Sequence, residues 1–480
     1  MSHLSAIEIG GVLLALIHLF GLITAVDALF KARTAQGSIA WILSLLLVPL
    51  FALPAYLLFG SRKFSGYTDA RRAGDAKIHR LTRLLEQALV PRVRASFDTR
   101  HPEYEALERL VRLPFARFNE TRLLIDGEAT FAAMFEALEA ANEYVLAQFY
   151  IVRDDDLGAR FQRALIACAA RGVRVHFLYD SIGCYALPER YLRELVDAGV
   201  RVSGFGGAPG RKAWRFQINF RNHRKILVVD GHTAFVGGHN VGDEYLGRDP
   251  VLRPWRDTHV RVCGPAAIGL QISFLEDWFW MRGEMLALKW DFDASQARAD
   301  QRVLVAPSGP ADDVDTCSLL FIQLINSANR RAWIVSPYFV PDEALIGALQ
   351  LAVFRGVDVR ILLPEKPDHR IVWLAAFAYL EDTLPYGVRV FRYMRGFLHQ
   401  KVALIDDRYA SIGTANLDNR SFRLNFEITL LFTDADTTGA VERMLRKDFA
   451  DSREVHMAEI SRRAPFRLAA RLARLFAPLL

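Results

Sequence analysis

The sequence predicts an α/β protein of two similar halves with the active site at their interface, preceded by an N-terminal two-helix transmembrane hairpin. Three observations carry this. NHRKILVVDGHTAFVGGHN at 222–240 returns as LHQKVALIDDRYASIGTAN at 398–416, so a His-x-Lys-x4-Asp pattern with a trailing Gly-x-x-Asn occurs twice. The flanks repeat as well. ANEYVLAQFYIV (141–152) parallels ANRRAWIVSPYFV (328–340), and RGVRVHFLYD (171–180) parallels RGVDVRILLP (355–364). Finally, two long uncharged runs open the chain.

Those runs are Ile9 to Val26 and Gly37 to Gly60. The first is long enough to cross a thin bilayer with its flanks, the second with some tilt. A cleaved signal peptide is the rival reading of the first run, which lacks a basic leading region and a small-x-small cleavage site. A buried core helix is the rival of the second, opposed by its length and by Pro49 and Pro54, which membrane helices tolerate better. Two spans put the N-terminus and the catalytic part on one side. Lys31 and Arg33 are the basic residues between the runs, whereas Arg62, Lys63, Arg71, Arg72, Lys77 and Arg80 follow the second. The positive-inside bias then places the catalytic part in the cytoplasm.

Residues 61–115 are basic and helical in pattern and read as a juxtamembrane connector. The first half is 116–300 and the second 301–460. Helices are expected at Gly127–Asn142 and Asp156–Arg171, with strands at Tyr144–Val152 and Val173–Tyr179. The second half repeats this as helices Cys317–Asn329 and Asp342–Arg355 and strands Ala332–Val340 and Val357–Leu363. Strands alternating with helices predict α/β layers.

Within the first motif, Ile226–Val229 reads as a buried strand closed by a tight turn at Asp230-Gly231, and Ala234–Val236 as its partner. Side chains in a strand alternate faces, so His223 and Lys225 share one face and Asp230 falls on the other. The motif supplies His223, Lys225 and Asp230, and again His399, Lys401 and Asp406. Parity makes the histidines and lysines chemical and the aspartates structural. An imidazole can attack phosphorus or donate a proton near neutral pH. A lysine gives a point positive charge for phosphate oxygens, and the amides of Asn240 and Asn416 add neutral donors. Two such sets facing each other would hold one phosphate between two imidazoles.

After each Gly-x-x-Asn, a loop leads to a strand that opens with a carboxylate, Asp257 in WRDTHVRV and Glu427 in NFEITLLF. A carboxylate accepting from the far imidazole nitrogen fixes its tautomer and steadies the imidazolium. The alternative is a strand-edge salt bridge with Arg256 or Arg423. The segment SGFGGAPGRKAWRFQINFR (203–221) is Gly-rich, then basic and aromatic, and reads as a substrate-facing loop or a solvated connector. At the C-terminus, residues 461–480, Leu468, Leu472, Leu475 and Phe476 share one helical face bordered by Arg467, Arg471 and Arg474. That is the pattern of an interfacial helix on anionic lipid, with an ordinary packed terminal helix as the rival.

The paired motifs resemble the phospholipase D superfamily, whose members carry two His-x-Lys-x4-Asp motifs on two similar halves. GGHNVGDEYL (237–246) and GTANLDNRSFRLNFE (413–427) are similar to bacterial cardiolipin synthases, over nearly the whole chain. Thr414 stands where many members carry Ser and keeps the hydroxyl. The resemblance implies a covalent phosphohistidine intermediate, with His223 as nucleophile, and neither metal nor cofactor. It implies histidine-orienting roles for Asp257 and Glu427. It also implies transfer of a phosphatidyl group between two phosphatidylglycerols in the bacterial inner membrane, giving cardiolipin and glycerol. A phospholipase D-type hydrolase, or a transferase with another donor or acceptor lipid, is the alternative. A silent membrane scaffold is opposed by two intact histidine sets.

Composition agrees with a lipid-facing protein. Hydrophobic residues make up 52% of the 480, and the net charge is +6. A basic surface suits nucleic acid or anionic phospholipid equally, but the two uncharged runs and the C-terminal helix point to membrane and away from nucleic acid. Cys168, Cys184, Cys263 and Cys317 are scattered without metal-ligand spacing and read as reduced core residues.

Overall fold

The computed structural model describes residues 6–31, 35–60, 90–98, 101–206, 219–290, 292, 297–460 and 464–479. Most of the basic connector (61–89) and of the Gly-rich segment (207–218) lie outside them. The residues fall into two compact units, Met1–Arg72 with Ala208–Phe220, and Ala73–Gly207 with Arg221–Leu480.

In the first unit, α1 (Ala6–Lys31) is followed by α2 (Ala35–Leu47) and α3 (Pro49–Phe59). Among the described residues, Ile9–Phe30 is the one helical stretch long and apolar enough to cross a membrane. The second uncharged run, Gly37–Gly60, is two consecutive helices and not one, because the chain breaks at Val48, whose φ of −136° and ψ of 55° leave the helical region. Pro49 is the cause, since proline disfavours helical geometry in the residue before it and suits the first turn of a new helix. Ala25, Ala28, Leu45, Ala52 and Tyr56 pack the three helices together. Tyr56 donates to Asp27 at 3.0 Å, and Ser38 Oγ to the Ala28 carbonyl at 3.0 Å.

The second unit is organised by duplication. The first half contributes β1 (Ala116–Ile125), β2 (Tyr144–Phe149), β3 (Arg174–Asp180), β4 (Arg201–Phe205), β5 (Ile226–Val229), β6 (Thr233–Gly237) and β7 (Thr258–Cys263). Their counterparts are β8 (Gln301–Ser308), β9 (Arg331–Val335), β10 (Asp358–Pro364), β11 (Arg389–Tyr393), β12 (Val402–Ile405), β13 (Tyr409–Gly413) and β14 (Asn425–Phe432), with β15 (Ser452–Glu454) added at one edge. One mixed sheet runs β4-β3-β2-β5-β6-β7-β1-β8-β14-β13-β12-β9-β10-β11-β15. The order is a palindrome about the antiparallel β1–β8 pair, where Asn119 lies opposite Gln301. The two halves thus share one sheet and are related by an approximate dyad at its centre.

Helices cover the sheet in the same duplicated order. In the first half they are α4 (Asp126–Glu139), α5 (Asp156–Ala170), α6 (Glu189–Asp197) and α7 (Ala266–Arg282). In the second they are α8 (Thr316–Asn326), α9 (Glu343–Phe354), α10 (Arg370–Leu380) and α11 (Ala435–Ala450), and α12 (Ala464–Arg474) closes the chain. Each half has its own apolar layer. Phe131, Phe149, Phe161, Phe177 and Phe235 pack in one, and Leu320, Ile334, Leu349, Ile361 and Leu380 in the other.

Two expected strands are shorter than their β-branched patterns. Tyr144–Val152 leaves the sheet after Phe149, and Ala332–Val340 after Val335. In each case the tail pairs with the residues after the Gly-x-x-Asn motif instead. Val152 bridges Val241, and Phe339–Val340 runs parallel to Leu417–Asp418.

The C-terminal helix is also refined. Phe466 packs against Trp373 and Phe377 of α10, while Ala470 and Ala473 are buried. The arginines expected to face anionic lipid are paired instead: Arg467 and Arg471 donate to Glu381, and Arg474 bridges Asp382 at 2.7 Å. Leu468, Leu472, Leu475 and Phe476 remain 61%, 52%, 74% and 56% exposed, so the expected apolar face is open.

Candidate active site

Each motif histidine stands just after a two-residue strand that crosses to the other half. Arg221–Asn222 pairs in parallel with Asn425–Phe426 of β14, and the His223 amide donates to the Phe426 carbonyl at 2.9 Å. By the same rule Phe397–Leu398 pairs in parallel with Trp255–Arg256, and the His399 amide donates to the Arg256 carbonyl at 2.8 Å. These backbone bonds set each histidine beside the carboxylate of the opposite half.

The side chains follow. His223 Nδ1 lies 2.9 Å from both carboxylate oxygens of Glu427, and His399 Nδ1 lies 2.8 Å from Asp257 Oδ2. Both carboxylates are fully buried. With Nδ1–H held, each imidazole presents Nε2 for bonding to a reactant. The salt bridges weighed as alternatives are not made, because Arg256 binds Asp448 and Asp126, while Arg423 binds Asp315 and Asp342.

The two couples differ in their support. Thr414 Oγ1 donates to Glu427 at 2.6 Å, and Asn425 Nδ2 donates at 3.1 Å. The residue matching Thr414 in the first half is Gly238, where a Cβ would lie 2.0 Å from Asp257 Oδ1. A side chain there would displace the carboxylate. Asp257 is held instead by the Thr258 amide at 2.8 Å and faces Trp255 Nε1 at 3.4 Å.

Lys225 and Lys401 are buried, and each reaches back to the carbonyl of its own histidine, at 2.7 and 2.6 Å. Burial pushes Lys225 down to about 7 and Lys401 to about 8, despite the attraction of Glu427 and Asp257. Burial also pushes His223 down to about 4, with Lys225 and Lys401 adding repulsion against the pull of Glu427. His399 is held well below the ordinary imidazole value by burial, then by Lys401, Lys225 and His223. Burial raises the Glu427 carboxyl, but His223, Lys225 and Thr414 outweigh it and keep the group below its ordinary value. Four basic groups and the two carboxylates therefore share one buried site. Tyr150 meets His223 edge-on at 4.9 Å, and Trp255 lies 5.1 Å from His399.

Asp230 and Asp406 do something else. Asp230 accepts from the amides of Asn142, Glu143 and Tyr144 at 2.8–2.9 Å, and Asp406 from Asn329, Arg330 and Arg331 at 2.8–2.9 Å. Asp230 thereby caps the start of β2, and Asp406 the start of its counterpart β9. The reason is the turn and not strand parity, since residues 223–225 lie outside regular strand. Asp230 and Asp406 have φ of 52° and 51°, a left-handed geometry that Asp tolerates, and Gly231 follows with φ 70°.

The two motif asparagines are placed differently. Asn240 Oδ1 accepts from the Ile151 amide at 3.1 Å and its Nδ2 donates to Tyr245 at 3.0 Å, leaving one amide proton. The Asn416 amide oxygen is buried and unbonded. Several buried groups around the site were not singled out by the sequence: Arg224, Asp277, Asp448 and the facing pair His239 and His259. A duplicated signal was available for the two aspartates, in FLEDWF (274–279) and LRKDFA (445–450).

Comparison with known proteins agrees with this geometry. Residues 134–249 and 321–449 match the family described as cardiolipin synthase, PLD-like domain, and residues 13–61 match the family described as phospholipase D-nuclease N-terminal. Cardiolipin synthase A of Pseudomonas fluorescens is 50% identical over 484 residues, spanning 98% of this chain and 99% of the relative. Cardiolipin synthase A of Pseudomonas entomophila is 51% identical over 480 residues, spanning 98% of each. The fold is similar to the crystal structure of phosphatidylserine synthase from Haemophilus influenzae, with a TM-score of 0.58 at 16% identity over 79% of this chain and 100% of that one. The chain belongs to the bacterial cardiolipin synthase family of the phospholipase D superfamily.

Proposed function

We propose that this protein is a membrane-anchored phosphatidyltransferase that joins two phosphatidylglycerols into cardiolipin and releases glycerol. The supporting observation is the pair of imidazoles, each held through Nδ1 by a carboxylate of the opposite half, with two buried lysines beside them. His223 Nε2 attacks the phosphodiester, forming a P–N bond while the P–O bond to glycerol breaks. His399, protonated once the phosphate anion offsets the lysines, passes its proton to the departing alkoxide. It then takes the proton from the headgroup hydroxyl of the second lipid. That oxygen attacks phosphorus, the P–N bond breaks and His223 is regenerated. Lys225 and Lys401 stabilise the charge on the phosphoryl oxygens, and Asn240 and Asn416 donate to the same oxygens.

Attachment to the bilayer favours lipid hydroxyl over water as acceptor by raising its local concentration. In this reading residues 1–60 span the membrane twice and leave the catalytic unit on the cytoplasmic side of the inner membrane. The 61–115 connector and the C-terminal segment 461–480 touch anionic phospholipid. The exposed leucines and Phe476 supply most of the contact of α12, because its arginines are engaged by Glu381 and Asp382. The test is purified protein in detergent with labelled phosphatidylglycerol. Cardiolipin with an equal yield of glycerol is expected. Phosphatidic acid as the main product would make the protein a hydrolase.

A further inference from the structure

We propose that Asp277 and Asp448 are a duplicated pair of positioning residues, each setting, with a buried arginine, the backbone of the carboxylate that serves one histidine. Asp277 lies on α7 and Asp448 on α11, helices that occupy the same place in their halves. Both aspartates are buried, as are Arg224 and Arg256.

The contacts match on the two sides. Arg224 follows His223, and its Nη1 donates to Asp277 Oδ2 at 2.7 Å while its Nε donates to the Glu427 carbonyl at 3.1 Å. Gln400 follows His399, and its Nε2 donates to Asp448 Oδ2 at 2.9 Å. Asp448 also takes both Nε and Nη2 of Arg256 at 2.8 Å, and Arg256 Nη1 donates to the Asp257 carbonyl at 2.9 Å. Each helix aspartate is thus joined on one side to the residue after a histidine and, through arginine, to the carbonyl of the carboxylate that the histidine uses. Each clamp closes around one histidine–carboxylate couple, and both couples join the two halves.

Stability alone is a poor reason for such an arrangement. Two buried charges lose hydration, and apolar groups of the same volume stabilise a fold as well or better. What the charged fork adds is direction: a planar guanidinium bonding a carboxylate and a carbonyl at once leaves that carbonyl little freedom. The couple it sets tolerates little error, since a displacement near 1 Å costs about a hundredfold in rate.

The inference rests on the reading of His223 and His399 as the reacting pair. It is tested with the full-length protein in mixed micelles containing phosphatidylglycerol, measuring kcat, KM and melting temperature. Arg224→Gln with Asp277→Asn removes both charges together and borrows the glutamine that the other half carries at 400. Asp448→Asn leaves Arg256 its second partner, Asp126, 3.0 Å away. Each variant should keep its KM, with kcat lowered roughly tenfold or more. The double variant should melt near the parent, and Asp448→Asn lower, because buried Arg256 loses its bidentate partner. Parent-like kcat in either folded variant overturns the proposal. Where the double variant fails to fold, Asp448→Asn decides alone. His223→Ala and His399→Ala run in parallel. If they turn over normally, the histidine reading has failed and the clamp proposal falls with it. If they are dead while the clamp variants are normal, only the clamp is lost.

Discussion

Glu427 lies 204 residues after His223 in the chain, yet it holds the ring at 2.9 Å and is itself gripped by Thr414 at 2.6 Å. Each half therefore supplies the carboxylate for the other half's histidine, and neither half alone contains a complete couple. Glu427→Gln should lower kcat by about a hundredfold or more with a smaller effect on KM, because a neutral amide no longer steadies the imidazolium. Thr414→Ser should stay near the parent, and Thr414→Val should fall below it. Equal kcat for Thr414→Val and the parent would show that the hydroxyl is idle.

His223→Ala and His399→Ala should each abolish turnover, because nucleophile and acid act as one unit and their losses do not add. Denaturing a single-turnover mixture with labelled lipid at neutral to alkaline pH, where a P–N bond survives, should trap the label on His223. Label on His399 reverses the two roles.

The lysines and the aspartates of the motifs should separate by assay. Lys225→Ala and Lys401→Ala should cost far more in turnover per folded molecule than Asp230→Asn and Asp406→Asn. The aspartate variants should show their effect in melting, since each orphaned backbone amide costs about 1–3 kcal/mol. Active-site titration beside thermal melts decides this. Aspartate variants that melt like the parent yet are dead would contradict it.

Alkaline pH should weaken substrate capture. Lys225 and Lys401 sit at about 7 and about 8 in the free site, so above about pH 8 the site loses positive charge while the phosphodiester stays anionic. kcat/KM should fall there. The fold does not oppose this. A lysine whose pKa is lowered by folding binds fewer protons folded than unfolded up to the ordinary value, so its contribution to stability rises through the same window. A kcat/KM profile flat to about pH 10, with unchanged melting, would remove the lysines from substrate binding.

A chain starting at Arg62 should fold and still make cardiolipin in mixed micelles, since every residue given a role in the reaction lies beyond Phe118. On vesicles it should be slower and more sensitive to salt, because attraction between exposed charges is screened. A folded but inert product even in micelles would give residues 1–61 a part in the chemistry or assembly.

Much of this was legible in the sequence by itself. The α/β class, the duplication and the family follow from spacing and local pattern, because a repeated motif and a strand or helix period are properties of neighbouring residues. The histidine–lysine sets, Asp257 and Glu427 were visible for the same reason. Other matters were decided only in three dimensions. Which carboxylate serves which histidine depends on the crossing of Arg221–Asn222 and Phe397–Leu398 to the opposite half, a long-range pairing without a local signature. The aspartates of the motif are set apart by a left-handed turn and not by strand parity. The break at Val48 follows from Pro49, and the arginines of the last helix meet Glu381 and Asp382, acids that sequence distance hides. The buried charges of Arg224, Arg256, Asp277 and Asp448 acquire meaning only when the halves close, since a charged residue in a sequence reads as surface until a partner and the loss of water are both in place.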